Sequence, residues 1–476
     1  MRVVTYRPPP PRHAHRSWWM EEALADDPGV PCPPLAADTA ADVVILGGGY
    51  TGLWSAFFLK ERDAGIDVVL LEQDICGGGP SGRNGGFVNG LWDELPTLAE
   101  LHGDDAALAI CRAADRSIGH IGEWCEAHGV DAWYSRAGDL GISTSPAKDG
   151  AWRENAELAR KLGADQEYVE LSPVQVAERF RSPVARGGVF MPGAAHIQPA
   201  RLARGLRRVL LERGVRIFEG TPVRRFRGGT PAEAETPRGR VTAGSAVIGL
   251  GAYAAALPRF RRAILPRAST IVLTAPAPDR LKDIGWTGGE GVYDYRSTLH
   301  YLRTTRDGRI AFGGAGARTG LGTGLGPRMD FDESAVTRLV RDLHRWFPSF
   351  RDVPVECAWG GPIDVTGLHL PFLGTLPSGN VHYALGFTGG GVGPCHLAGR
   401  ILSGLALGAE DDFTRLPIVG AEPKPFPREP LRSPGALLVT RAIMRKDDAE
   451  DDGGRPNRLI DLLARLPRRV GYKLGP

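Results

Sequence analysis

Three glycines spaced Gly47-x-Gly49-x-x-Gly52 follow directly on the apolar run Val43-Val44-Ile45-Leu46. Each has a physical use in holding a dinucleotide. The first permits a tight turn, the second lets a pyrophosphate approach the backbone, and the third lets the next helix pack on the strand. Tyr50 and Thr51 open that helix, whose N-terminal N–H groups and partial positive charge suit phosphate. Glu72 closes the following apolar run, twenty residues past Gly52. A carboxylate there can accept hydrogen bonds from ribose hydroxyls and would repel a 2′-phosphate. This spacing serves NAD and FAD equally well.

A second Gly-rich stretch, Gly77-Gly78-Gly79-Pro80-Ser81-Gly82-Arg83-Asn84-Gly85-Gly86, comes immediately afterwards. So many glycines beside Ser, Arg and Asn suit a loop wrapped closely round an extended cofactor. Side chains that could meet a substrate concentrate in Asp294 to Arg303. On a strand there, Leu299, Tyr301 and Arg303 share one face and His300 takes the other. His196 and His300 could act as bases or serve as hydrogen-bonded structural residues. The six cysteines are scattered with no C-x-x-C pair, which argues against a zinc site or a disulfide framework and fits a reducing cytoplasm.

These groups need a scaffold. Ala41–Gly47, a helix to about Ala64 and Asp67–Glu72 form a βαβ unit with a parallel strand pair. From Pro96 to about Pro183 the pattern is mostly helical, and Pro199–Arg213 is an amphipathic helix leading into the strand Val215–Glu219. Strands Thr270–Thr274, Leu299–Thr304 and Arg309–Gly313 follow, with the hairpin signal Asp307-Gly308 between the last two. A helix Glu333–Phe347 and a late Gly-rich strand–turn–helix, Val381 to Leu407, complete the globular part. The two compositions alternate, so a second domain is expected to be inserted into the first. At 476 residues, two domains are the working expectation. No apolar run reaches about eighteen residues, the length of a transmembrane span. The basic, Pro-rich start, Met1 to Arg16, lacks a signal-peptide core and reads as a flexible arm. The 58 basic against 55 acidic residues give no footprint for nucleic acid. Leu459 to Leu466, flanked by Arg458, Arg468 and Arg469, could lie on a membrane surface; docking on its own chain or on a partner subunit is the preferred reading.

The pair of glycine motifs resembles the D-amino-acid oxidase type of FAD-dependent oxidoreductases. The nearest branch oxidises amines and includes γ-glutamylputrescine oxidoreductase and sarcosine oxidase. In that branch a loop Ala-Ser-Gly-Arg-Asn-Gly-Gly lies against the flavin; Ser81 to Gly86 match it, while Gly79-Pro80 departs from the usual small residues. Ser17-Trp18-Trp19 and Cys32-Pro33-Pro34-Leu35 resemble the family's lead-in. Thr221-Pro222-Val223 falls where the family places a valine against the adenine, and Gly249-Leu250-Gly251-Ala252 where a strand ends beside the pyrophosphate. Trp359-Gly360 and Pro371-Phe372-Leu373-Gly374 match another family stretch. Gly386-Phe387-Thr388-Gly389-Gly390-Gly391-Val392 resembles the helix start that points at the flavin pyrimidine ring.

The resemblance implies an α/β fold with a Rossmann-like FAD-binding domain built on a mixed sheet, and an inserted α+β substrate domain with an antiparallel sheet. The expected division is an N-terminal arm (1–40), a discontinuous FAD domain (41–95, 184–258, 355–410), a substrate domain (96–183, 259–354) and a C-terminal extension (411–476). It further implies non-covalent FAD, no metal, and a hydride passing from the α C–H of an amine or amino acid to flavin N5, with O2 or another acceptor taking the electrons. Phe87 and Asn89 should lie near the flavin. Tyr301 is then the expected ring facing the reaction site, Arg296 the expected anchor for a carboxylate or phosphonate, and His300 a candidate base. The alternatives are oxidation of a hydroxy acid, polyol phosphate or aminophosphonate, or a flavin-binding partner protein without turnover. The C-terminal extension could also support an oligomer.

Overall fold

The computed structural model describes residues 4–5, 16–320, 325–473 and 475. Two sheets carry the architecture. In the first, the strand Thr39–Leu46 lies parallel between Val68–Leu71 and Arg240–Ile248, with Ile45 opposite Leu70 on one side and Val247 on the other. Arg216–Phe218 extends the parallel set. Val381–Leu385 joins alongside Arg240–Ile248, and Phe372–Thr375 pairs with it antiparallel. The other edge is an antiparallel ribbon, Arg240–Ile248, Ala232–Glu235, Arg225–Arg227 and Val4–Thr5. Strands 43–46 and 68–71 are buried throughout, as parallel strands covered on both faces must be, which is why they read as continuous Val, Ile and Leu.

The second sheet runs Val355–Val365, Leu265–Thr274, Ile310–Thr319, His300–Thr304, Gly291–Asp294, Asp139–Ile142, Gly188–Met191 and Val169–Leu171. All its pairs are antiparallel except Gly291–Asp294 with Asp139–Ile142. The fold is therefore mixed α/β with a second sheet-based unit. Two expected boundaries need correction: Gly188–Met191 and Val355–Val365, assigned from sequence to the cofactor-binding segments, belong to this sheet. Strand composition alone does not say which of two sheets an apolar run joins.

The helix Tyr50–Arg62 packs against Val392–Ala406 so closely that a Cβ on Gly399 would stand 2.6 Å from that of Trp54. Trp54 is fully buried, with ring contacts to Phe57, Phe58, Trp124 and His396. This seam fixes the direction in which both helices start, toward the space between the sheets.

The ends of the chain differ from expectation. Of the basic arm, residues 1–3 and 6–15 lie outside the described residues. The lead-in that starts at Ser17 is helical. Ser17 caps the helix Trp18–Asp26, its hydroxyl accepting from the Met20 N–H and donating to Gly82 O, and Trp19 and Met20 are buried. At the other end the sequence suggested one amphipathic helix and the structure has two. Arg458–Arg469 packs through Ile460, Leu463 and Ala464 on a preceding helix, Arg432–Asp451. That first helix buries polar groups such as Asp447 and Thr440, so an apolar stripe does not betray it. No described helix is long and apolar enough to cross a membrane.

Arg296 holds this hairpin to the body. Its guanidinium donates to Asp451 Oδ2 at 2.7 Å and to Asp448 Oδ1 at 2.9 Å, with only 3% of its side chain exposed. Asp447 accepts from the Thr298 N–H and hydroxyl. Removing one member of a buried ion cluster leaves its partners charged and unpaired. Arg296→Ala is therefore expected to cost about 3–5 kcal/mol of stability, measured as a lower Tm and as new proteolytic cutting between residues 408 and 431.

Candidate functional site

The glycine turn has the strain that its residues were expected to relieve. Gly47 sits at φ +104°, and a Cβ there would meet Gly249 O at 2.6 Å; one on Gly52 would stand 2.0 Å from Gly47 O. Only glycine allows helix and strand to meet this closely. Glu72 is gripped at both oxygens, by the Gly48 N–H at 2.7 Å and the Asp74 N–H at 2.9 Å. Burial pushes its carboxyl up to about 7, against the pull of those two N–H groups. Gly47 to Thr51, Glu72, Val223, Gly251 and Ala252 line one end of a long cleft between the sheets.

The loop after Gly77 forms the middle of the cleft. Ser81 Oγ accepts from the Tyr50 N–H at 2.9 Å, tying the loop to the helix start. Pro80 stands at the first position of the 3-10 turn Pro80–Gly82, where a missing N–H does no harm, so the departure at Gly79-Pro80 is accommodated locally. Arg83 braces the loop across to the second sheet. Its Nε donates to Gly78 O and its Nη1 to Gly360 O, while Trp359 Nε1 donates to Arg83 O. Asn84 holds Pro80 O and Ser81 O through Nδ2 and accepts from the Gly86 N–H. Gly86 has φ +79°, and a Cβ there would meet Ile197 O at 2.1 Å. Gly79, Ser81, Arg83, Asn84 and Gly85 face the cleft.

Phe387, Thr388 and Gly389 to Val392 line the cleft further along, with Gly386 just behind them. Asp364 Oδ2 accepts from the Gly386 N–H at 2.6 Å, and burial pushes Asp364 up to about 6 against the N–H groups around it. The helix Val392–Ala406 begins here with no acidic residue in its first turn, leaving its positive end turned to the cleft. Cys395 shares a contact of 3.3 Å with the Thr51 hydroxyl, and burial pushes the thiol up to about 12, so it stays neutral.

Tyr301 lines the cleft opposite this region. Its ring meets Phe87 edge-on at 5.9 Å, and its hydroxyl is 2.8 Å from Ser269 Oγ. Burial pushes the phenol up to about 12, so it too is neutral. Asn89 also lines the cleft. The other two expected substrate residues do not reach it. Arg296 is committed to the C-terminal hairpin. His300, on the reverse face of its strand, is buried between Asp294 (Nδ1 to Oδ2, 2.7 Å) and Asp342 (Nε2 to Oδ2, 3.3 Å). His196 is likewise buried, against Asp139 at 2.7 Å. The carboxylates that claim Arg296 and His300 lie on other elements, out of reach of a reading confined to one strand.

Several residues of the site carried no signal that sequence reasoning used. Asp93 and Glu94 line the cleft. Asp93 accepts from the hydroxyls of Tyr168 and Tyr293 at 3.0 Å, and burial holds its carboxyl above the usual range. An acidic pair soon after the flavin-type loop, inside the apolar frame Leu91-Trp92 and Leu95, could have drawn notice. Lys473 comes from the C-terminal end and donates to Glu94 Oε2 at 2.6 Å and to Asp93 O at 3.1 Å, while its N–H bonds Gly367 O. Gly475 lies on the cleft wall. His369, at φ +61°, faces the cleft and is pushed down to about 3 by burial, with Lys473 and Arg267 adding to the effect.

Glu72 gives the first test of the cleft. A carboxylate that receives ribose hydroxyls binds best when ionised, so dinucleotide affinity should fall as pH drops below about 7. Glu72→Gln removes a charged acceptor worth about 1.5–3 kcal/mol. It is expected to raise the Kd for FAD roughly tenfold or more and to flatten that pH dependence, measured by quenching of flavin fluorescence on titration with protein.

The chain matches the family model "DAO: FAD dependent oxidoreductase" over residues 42–405. It is 31% identical over 395 residues to γ-glutamylputrescine oxidoreductase of Escherichia coli K12, covering 81% of this chain and 89% of that one. Sarcosine oxidase subunit beta of an Arthrobacter species is 24% identical over 361 residues, covering 74% and 83%. Among solved structures, glycine oxidase from Geobacillus kaustophilus shares the fold, with a TM-score of 0.65 at 21% identity over 80% of this chain and 99% of that one. The cradle fits the cofactor this family uses: the space a Cβ would fill at Gly47 and Gly52 is kept clear, and a carboxylate stands at the ribose end. The chain belongs to the DAO family of FAD-dependent oxidoreductases, whose members include amine and amino-acid oxidases, and FAD is its cofactor.

Proposed function

We propose that the protein oxidises a primary or secondary amine or an amino acid, giving an imine that water hydrolyses to an aldehyde or ketone. The observation that carries this reading is the aromatic wall of Tyr301 and Phe87 at the far end of the cleft from the Gly47 turn, with two half-buried carboxylates, Asp93 and Glu94, in the same cleft. The similarity to γ-glutamylputrescine oxidoreductase, an enzyme named for an amine substrate, points the same way.

FAD, when bound, supplies the acceptor for the hydride that leaves the α carbon, and O2 or another acceptor later removes the two electrons. The chain has three tasks. Tyr301 and Phe87 confine the α carbon; the bond to Ser269 fixes the tyrosine hydroxyl so that the ring offers a set face. The amine must react unprotonated. Asp93, held by two tyrosine hydroxyls, offers an acceptor for an ammonium proton on the substrate side. The helix start at Val392 turns its N–H groups to the cleft, where they would stabilise negative charge on a bound cofactor.

Anaerobic mixing of the FAD-loaded protein with amines, amino acids and hydroxy acids tests the reading. Loss of absorbance at the flavin maximum with an amine or amino acid is the expected result. Bleaching by hydroxy acids alone would move the protein to the alternative chemistry, and bleaching by nothing would make it a flavin-binding partner. Tyr301→Ala should slow reduction by about a hundredfold, the usual effect of a misplaced reactant, with FAD content unchanged. Turnover in air compared with turnover on an artificial acceptor separates oxidase from dehydrogenase.

A further inference from the structure

The helix Arg458–Arg469 has two apolar faces, and the fold uses one of them. Ile460, Leu463 and Ala464 pack on the helix Arg432–Asp451. Leu459, Leu462, Leu466 and Val470 do not: they are 63%, 46%, 44% and 53% exposed. Spaced by three and four residues, these four form one continuous stripe. Among the described residues twelve large apolar side chains are exposed, and four of them stand in this stripe. A single exposed leucine needs no explanation, whereas a contiguous apolar patch marks a surface that something covers.

The charge beside the stripe says what covers it. Arg458, Arg465 and Arg469 run along one flank at helical spacing, and all three are exposed. Asp461 is the one acidic residue of the helix, and it accepts from Arg465 Nε at 2.8 Å. Arg458 stands in the first turn, where the helix dipole disfavours a cation, so helix stability does not account for it. On the neighbouring helix, Asp447, Asp448 and Asp451 turn to Thr298 and Arg296, and Glu450 turns to Lys446. The charge that Arg458–Arg469 presents outward is therefore basic. An aliphatic stripe with arginines along its side matches an anionic lipid surface: leucines enter the acyl boundary while guanidinium groups lie among the phosphates. A second copy of the chain fits less well. The one acid of the helix is already paired, so setting two such helices together gathers like charge.

We propose that the outward stripe of Arg458–Arg469 is a docking surface for an anionic membrane, with this helix lying in the plane of the headgroups. The stripe ends at Val470, and Lys473 bonds Glu94 on the cleft wall. No more than about 11 Å of chain separates those two residues, so the docked protein holds that wall near the lipid surface.

Flotation of the full-length, FAD-loaded protein with lipid vesicles tests this. Vesicles of phosphatidylcholine mixed with phosphatidylglycerol are expected to bind it roughly tenfold or more tightly than vesicles of phosphatidylcholine alone. Added salt should weaken that binding. Leu462→Ser combined with Leu466→Ser should release the protein from the vesicles while Tm and FAD content stay unchanged. Arg458→Gln combined with Arg469→Gln should do the same, and lysine at both positions should restore most of the binding. Failure of the unaltered protein to float with the mixed vesicles overturns the proposal. So does binding that the leucine variants leave intact, because charge elsewhere on the protein then accounts for it. Sedimentation velocity without lipid settles the rival occupant: a dimer that the leucine variants split makes the stripe a contact between copies and overturns the membrane reading.

Discussion

A carbonyl oxygen and a missing Cβ set the geometry of this protein. The first turn of the helix Tyr50–Arg62 lies against the strand before it, with Gly52 over the Gly47 carbonyl at a distance no side chain tolerates. The helix start therefore faces the cleft, and Ser81 and Gly48 gain their partners on it and on Glu72. The second close approach, Gly399 on Trp54, then carries the helix Val392–Ala406 alongside, and its start opens on the same cleft. Two positive helix ends and the loop between them thus follow from two backbone contacts. Large rings such as Trp54 and Trp124 fill the remaining space and leave these contacts little freedom to loosen.

The substrate end is built on a different logic. The second sheet supplies Tyr301 from one strand and Ser269 and Arg267 from another, on either side of Ile310–Thr319 and antiparallel to it, so their spacing is set by strand registry. Side-chain charge there is divided. Carboxylates at 93 and 94 meet tyrosine hydroxyls and a lysine, whereas Nε and Nη2 of Arg267 have no hydrogen-bond partner among the described residues. A low-dielectric cleft holding one paired and one unpaired region of charge favours ligands that carry complementary charge.

How far the sequence could be read depended on the range of the interactions. Glu72 and the contact of Gly52 on Gly47 O were legible because their demands are met within about thirty residues, inside one βαβ unit, whereas the room Gly47 leaves for Gly249 O is a long-range demand. The parity that sends Tyr301 and His300 to opposite faces was legible from strand geometry. Arg296 was misread because its partner Asp451 lies 155 residues further on, in a helix whose buried face is polar. Arg267 was passed over because what marks it is the absence of a hydrogen-bond partner for Nε and Nη2 among the described residues, a property that only the assembled fold reveals. The strands Gly188–Met191 and Val355–Val365 went to the wrong sheet for a related reason: apolar alternation records burial, not the neighbour that provides it.

The last turns of the chain are anchored with care. Tyr472 stacks on Phe426 with ring centres 5.5 Å apart, Lys424 bonds the carbonyls of Val470 and Gly471, and Lys473 reaches into the cleft wall. At the opposite end, Val4–Thr5 sits on the far edge of the first sheet. Anything that displaces Lys473, such as an insertion or a bulky label in residues 471–473, strips Glu94 of its ammonium partner and changes the charge on the cleft wall.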